Sequence, residues 1–84
     1  MGYNGNKQPY RDGYMRIRNA ADLGKLIKMT RKNLAVTQSQ VAGVSGLGER
    51  FIRELEKGKP SCQLEKALLV AKMLGIKLEA KLNE

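Results

Sequence analysis

The chain has 84 residues, 42% of them hydrophobic, which gives room for one domain. At that size a hydrophobic core alone barely offsets the entropy of ordering, so oligomerisation is expected. Sixteen Lys and Arg against eight acids leave a net charge of +8, which favours a polyanionic partner through counterion release from phosphate. No apolar run approaches the roughly 20 residues a bilayer span needs. Cys62 is the one cysteine and histidine is absent, which argues against a disulfide, a metal site or a cofactor.

The charge is unevenly spread: up to Val36 eight bases face two acids, so the N-terminal part carries most of the field. Residues 1–14 hold three Gly, two Asn and Pro9 without a helical or strand period, and read as a flexible arm. It is either a solvated tail or a basic arm, with Lys7, Arg11, Arg16 and Arg18, that orders on DNA or on a protein. The arm lacks the apolar stretch of a secretory signal, so a cytoplasmic protein is expected. The domain itself is expected over 15–84, where Met15 and Ile17 alternate with charged residues and suit a short strand.

Asn19 opens the first helix as its N-cap, with Asp22 three positions on in a weak capping arrangement. Leu23, Leu26, Ile27, Thr30 and Leu34 recur at helical spacing, predicting a helix from about Ala20 to Asn33 with Lys25, Lys28 and Lys32 outward. Arg31 borders that stripe, so its guanidinium needs a partner elsewhere in the chain. Thr37 with Gln40 forms a second capping box, starting a short helix that turns Val41 and Ala42 inward. Gly43, Gly46 and Gly48 end it and permit a left-handed turn. A third helix follows over Glu49 to Lys57, with Phe51, Ile52 and Leu55 on one arc and Glu49, Arg50, Arg53, Glu54 and Lys57 on the other.

Ser61, after Pro60, is expected to cap a fourth helix from about Cys62 to Leu74, closed by Gly75. Leu64, Ala67, Leu68, Ala71 and Leu74 give its inward stripe. Leu69 and Met73 project from another side, which a second subunit could cover. Ile76, Leu78, Ala80 and Leu82 then alternate with polar residues, the period of a half-buried strand over 76–82. A lone strand is unstable, so it must pair with Met15 to Ile17, with a symmetry mate, or with both. The expected homodimer interface is Leu69, Met73, Ile76, Leu78 and Leu82.

Two short helices joined by a glycine turn, the second bearing an outward arc of Arg and acid, are the elements of a helix-turn-helix. The segment TQSQVAGVSGLGERFIRELEKGK, from Thr37 to Lys59, resembles the Xre and lambdoid phage repressor family. The resemblance, which spans about Ala20 to Gly75, implies a mainly α, four- to five-helix lambda-repressor-like domain, here with a short C-terminal dimerisation strand. Within that group, GERFIRELEKGKPSCQLEKALLVAKMLGIKL is most similar to HipB-like antitoxins.

That resemblance implies a transcriptional repressor bound as a homodimer to a palindromic double-stranded operator, and the antitoxin of a HipA-type kinase toxin-antitoxin operon. The alternatives are a stand-alone Xre-type repressor and a helix-turn-helix protein-interaction module. It implies that Gln38 touches phosphate and supports a reading side chain. Arg50 and Arg53 would be the main base and phosphate contacts, with Gly48, Lys57 and Lys59 completing the DNA-binding set. Glu49 and Glu54 either accept from cytosine or pair with Arg50, Arg53 or Lys57 on the helix surface. It also implies that Arg31 and Glu56 form a partly buried structural ion pair.

Two residues depart from the family pattern. Gly48 stands where Ser or Thr usually caps the reading helix, and Ser45 stands where a larger apolar residue is usual. An enzyme is not expected: no Ser or Cys is set beside a base, and the glycines lie between helices rather than after a strand. The aromatic residues Phe51, Tyr3, Tyr10 and Tyr14 suggest no stacking platform for RNA.

Overall fold

The computed structural model describes residues 14–82. The arm expected over 1–14 lies outside them, Tyr14 excepted. Four helices follow in order: α1 (Ala20–Asn33), α2 (Gln38–Ser45), α3 (Glu49–Glu56) and α4 (Leu64–Met73). Each helix that the sequence anticipated is present. In the packed domain α3 rests on both α1 and α2, while α4 closes over α2.

Local chemistry sets the boundaries. Asn19 Oδ1 accepts the Asp22 N–H at 2.8 Å and so caps α1. The Asp22 carboxylate reaches past the cap to the Arg18 N–H at 3.0 Å, so the capping arrangement is not reciprocal. At α2 it is: Thr37 Oγ1 accepts the Gln40 N–H at 3.0 Å and Gln40 Oε1 accepts the Thr37 N–H at 2.8 Å. Gly46, with φ +76, ends α2 in the left-handed conformation expected for the turn. The Ser45 hydroxyl supports that turn by donating to the Ala42 carbonyl and accepting the Leu47 N–H, so a polar residue is satisfied where an apolar one is common.

Three helices end in the same six-residue signature. After α1, the Val36 N–H donates to the Arg31 carbonyl and the Ala35 N–H to that of Lys32. After α3 the pairs are Lys59 to Glu54 and Gly58 to Leu55, and after α4 they are Ile76 to Ala71 and Gly75 to Lys72. These are Schellman turns. The first places Ala35, not glycine, at φ +58.

Ile27, Ile52 and Val70 are fully buried and join Val41, Ala42, Leu55 and Ala67 in one core. Four details differ from the expected pattern. Leu34, read as part of the α1 stripe, is exposed because it already belongs to the terminal turn. α4 buries Ala67, Val70 and Ala71, whereas Leu64 and Leu68 stand on its exposed shoulder. The inward arc is therefore rotated toward Val70, which the spacing of leucines had hidden.

Ser61 does not cap α4, because Lys59 to Cys62 form a turn closed by the Cys62 N–H on the Lys59 carbonyl, and the helix starts from Gln63 without a side-chain cap. Lastly, residues 76–82 carry no strand. The alternation supplies one apolar face, but a strand also needs a hydrogen-bonding neighbour. Tyr14 to Ile17 do lie beside Lys77 to Lys81, around a shared cleft, and Tyr14 makes an isolated bridge, but no continuous strand forms among the described residues.

Close approach fixes the angle between α1 and α3. Gly24 is buried where a Cβ would collide with the Leu55 carbonyl oxygen and stand 2.8 Å from that of Glu56. Only glycine lets the two backbones come this near.

Candidate nucleic-acid interface

The site is built on α3, whose two faces differ sharply. Ile52 and Leu55 are buried, Phe51 is half-buried against the same core, and Arg50, Arg53 and Lys57 are exposed. The Arg50 side chain retains 81% of its accessible surface. The helix is thus anchored along one side and offers cations along the other. Gly48 precedes it in extended conformation with no side-chain cap, so no hydroxyl occupies the positive end of the helix.

Behind α3 lies an ion pair that joins it to α1 and to the α1–α2 turn. Arg31 Nε donates to Glu56 Oε2 at 2.6 Å and its Nη2 to Oε1 at 3.0 Å, while Nη1 donates to the Val36 carbonyl at 2.9 Å. Both residues are 8% exposed. The fork-to-carboxylate geometry satisfies charges that burial would otherwise penalise. Hydrogen bonding to Glu56 raises the Arg31 pKa against the opposing pull of burial, so the guanidinium stays charged.

Gln38 completes the cluster by donating from its amide nitrogen to Glu56 Oε1 at 3.0 Å. Its amide is therefore engaged inside the protein, a contact that sequence spacing did not suggest. Gln38 and exposed Glu49 line one open cleft between the α1–α2 turn and the start of α3, with Lys32, Thr37 and Ser39 on its rim.

On the outer face Glu54 has two partners. Its Oε2 accepts from Arg50 Nε at 3.2 Å and its Oε1 from Lys59 Nζ at 3.2 Å. The hydrogen bonds from Lys59 and then Arg50 hold the Glu54 carboxyl below the usual glutamate range. Of the two uses open to Glu54 in the sequence, surface pairing is the one seen; the partners are Arg50 and Lys59. Among the described residues no carboxylate forms an ion pair with Arg53 or Lys57. Cys62, beyond this face, is half-buried, and burial with the nearby Glu54 charge pushes its thiol pKa up.

The residues expected at a subunit interface are separated by the structure. Leu69, Met73, Leu78 and Leu82 are exposed, with Leu82 retaining 87% of its surface. Ile76 is half-buried against the chain's own core. No three His, Cys, Asp or Glu side chains cluster in a way that could hold a metal among the described residues. No helix among them is long and apolar enough to cross a membrane.

Two short helices at a glycine turn, the second anchored by Ile52 and Leu55 and presenting Arg50 and Arg53, define a helix-turn-helix protein. Residues 27–81 match the helix-turn-helix family model HTH_3, and the chain belongs to that family. It is 44% identical over 64 residues to the uncharacterized HTH-type transcriptional regulator y4mF of Sinorhizobium fredii (strain NBRC 101917 / NGR234), a match covering 76% of this chain and 84% of that protein.

In fold it is similar to HipB in a HipB–O4 20mer complex, with a TM-score of 0.76 and 18% identity over 84% of this chain and 100% of the other. A HipB variant in an O2 20mer complex gives a TM-score of 0.76 at 17% identity, covering 84% and 99%. The Xre-type fold read from Thr37 to Lys59, and its HipB-like form read from Gly48 to Leu78, are borne out, and the chain is a transcriptional regulator of helix-turn-helix type, not an enzyme.

Proposed function

We propose that this regulator is a sequence-specific DNA-binding repressor that acts as a homodimer on a palindromic operator, each α3 entering the major groove. The carrying observation is the two-faced α3: Ile52 and Leu55 lock it to the core while Arg50, paired at its Nε with Glu54, and Arg53 are exposed to solvent. A groove about 12 Å wide admits one such helix. Arg reads guanine through two parallel donors, and Lys57 suits a phosphate contact. Gln38, Gly48, Glu49 and Lys59 flank this face, where the open N-terminus of α3 favours an anion. Such a role belongs in the cytoplasm.

Dimerisation is supported by the exposed apolar set Leu69, Met73, Leu78 and Leu82. Two reading helices about 34 Å apart then match successive major grooves. The likeness in fold to HipB supports a further step, that the chain is the antitoxin of a HipA-type kinase toxin encoded beside it.

The test is binding of the purified protein to the DNA upstream of its own reading frame across a salt series. Affinity should fall steeply with salt, and Arg53→Ala should weaken specific binding by about 1 to 3 kcal/mol while the helical signal is kept. Binding that is absent or indifferent to salt would make the chain a protein-interaction module. Co-purification from the native operon decides the antitoxin step: a kinase-like partner supports it, and its absence leaves a stand-alone repressor.

A further inference from the structure

An acid on a helix that meets phosphates is a liability unless it is used. Glu54 sits on α3 one turn beyond Arg50 and is tied down from both sides. Its carboxylate accepts from Arg50 Nε through one oxygen and from Lys59 Nζ through the other, each at 3.2 Å. The Glu54 backbone carbonyl also accepts the Lys59 N–H at 3.1 Å, as the longer bond of the Schellman turn that ends α3. The backbone therefore brings Lys59 back over the helix before its side chain reaches the carboxylate.

We infer that Glu54 is a positioning and specificity-determining residue, which holds Arg50 by its Nε and occupies Lys59, so that Arg50 meets DNA chiefly through its two terminal nitrogens. The inference rests on α3 being the DNA-reading helix. A guanidinium is a rigid fork. With Nε engaged by Glu54, Nη1 and Nη2 still form a pair of donors, which is what O6 and N7 of guanine accept. A base contact of that kind leaves the ion pair intact. A phosphate contact through Arg50 Nε or Lys59 Nζ must displace the carboxylate first.

Glu54 thus weakens indiscriminate backbone binding more than base reading. It also restricts an otherwise mobile Arg50 before DNA arrives, reducing the ordering cost of the specific complex. Both effects widen the gap between operator and random DNA.

The experiment uses the full chain and two labelled duplexes of equal length: one selected by the wild-type protein from a randomised pool, the other of scrambled sequence. Fluorescence anisotropy over a salt series gives both affinities, and circular dichroism checks that each variant is folded. Glu54→Gln should bind scrambled DNA more tightly, with a salt slope steeper by about one to two because two cations are released. The selected-to-scrambled affinity ratio should fall roughly three- to tenfold, the scale of two surface ion pairs. In an Arg50→Ala background, where only Lys59 is left to be released, Glu54→Gln should lower the ratio by no more than about twofold, as expected for a residue acting mainly through Arg50.

A folded Glu54→Gln protein with an unchanged or larger ratio overturns the inference. An equal fall in the Arg50→Ala background overturns it too. If the wild-type protein binds neither duplex in a salt-dependent way, the reading of α3 itself fails. If wild type discriminates but Glu54→Gln does so equally well, only the role of Glu54 is lost.

Discussion

Arg31 and Glu56, 25 residues apart in sequence, meet in two nearly parallel hydrogen bonds of 2.6 and 3.0 Å and thereby pin the end of α3 to α1. Removing one partner leaves the other charge buried and alone. Glu56→Ala should cost about 3 to 5 kcal/mol in urea unfolding. Arg31→Met combined with Glu56→Leu should recover much of that loss. If the single variant matches wild-type stability, the pair is not the clamp described.

Gly24 predicts a backbone clash. Gly24→Ala would drive a methyl group into the Leu55 carbonyl oxygen, which cannot swing aside as a flexible side chain could. The expected loss is about 2 to 3 kcal/mol, read as a lower denaturant midpoint. DNA affinity should fall further than unfolding accounts for, because the α1–α3 angle must open.

Ala35 predicts a gain. It occupies a left-handed position, φ +58, where a Cβ is strained by about 1 to 2 kcal/mol. Ala35→Gly relieves that strain but adds freedom to the unfolded chain. The net should be a stabilisation of about 0.5 kcal/mol, seen as a small rise in melting temperature. Destabilisation would contradict the left-handed turn.

Asp22 predicts an acid response. The Arg18 N–H, followed by the Arg18 side chain, outweighs desolvation and holds the Asp22 carboxyl below the usual aspartate range. A folded pKa below the unfolded one gives stability that is present above about pH 4 and is lost as pH falls through the folded value. Asp22→Asn should therefore melt lower than wild type at neutral pH, with the gap closing on acidification. A gap that stays constant to low pH removes this role.

Leu78 tests the subunit contact. It is 40% exposed in the single chain, and Leu78→Asp should yield monomers in sedimentation experiments with the helical signal intact. A variant that still dimerises takes residues 76–82 out of the interface.

The helical frame was legible because its starts are written in short-range chemistry. Asn19, and Thr37 with Gln40, each bond backbone groups within three residues, and Gly46 marks its own turn. Arg31 could be recognised as needing a distant partner, and the family resemblance supplied Glu56. Features depending on rotation or reversal of the chain were harder to read. Val70 lies between leucines of similar hydropathy, so the sequence could not tell which arc of α4 faces inward.

Lys59 lies beyond the end of α3, and only the Schellman turn returns it to Glu54. Gln38 reaches Glu56 across 18 residues of chain, a link no local pattern encodes. The strand expected over 76–82 shows the remaining gap: alternation reports which face is apolar, not whether a hydrogen-bonding neighbour exists.

The anchoring of Ile76 has a consequence for assembly. Its N–H is bound to the Ala71 carbonyl at 2.9 Å and its side chain rests on the core, so the bearing on which the tail departs is settled inside a single subunit. In a pair joined through that tail, the stride between the two reading helices is inherited from the bend at Gly75. Lengthening that bend by a residue would then put the two helices out of step with the double helix while each subunit stays intact.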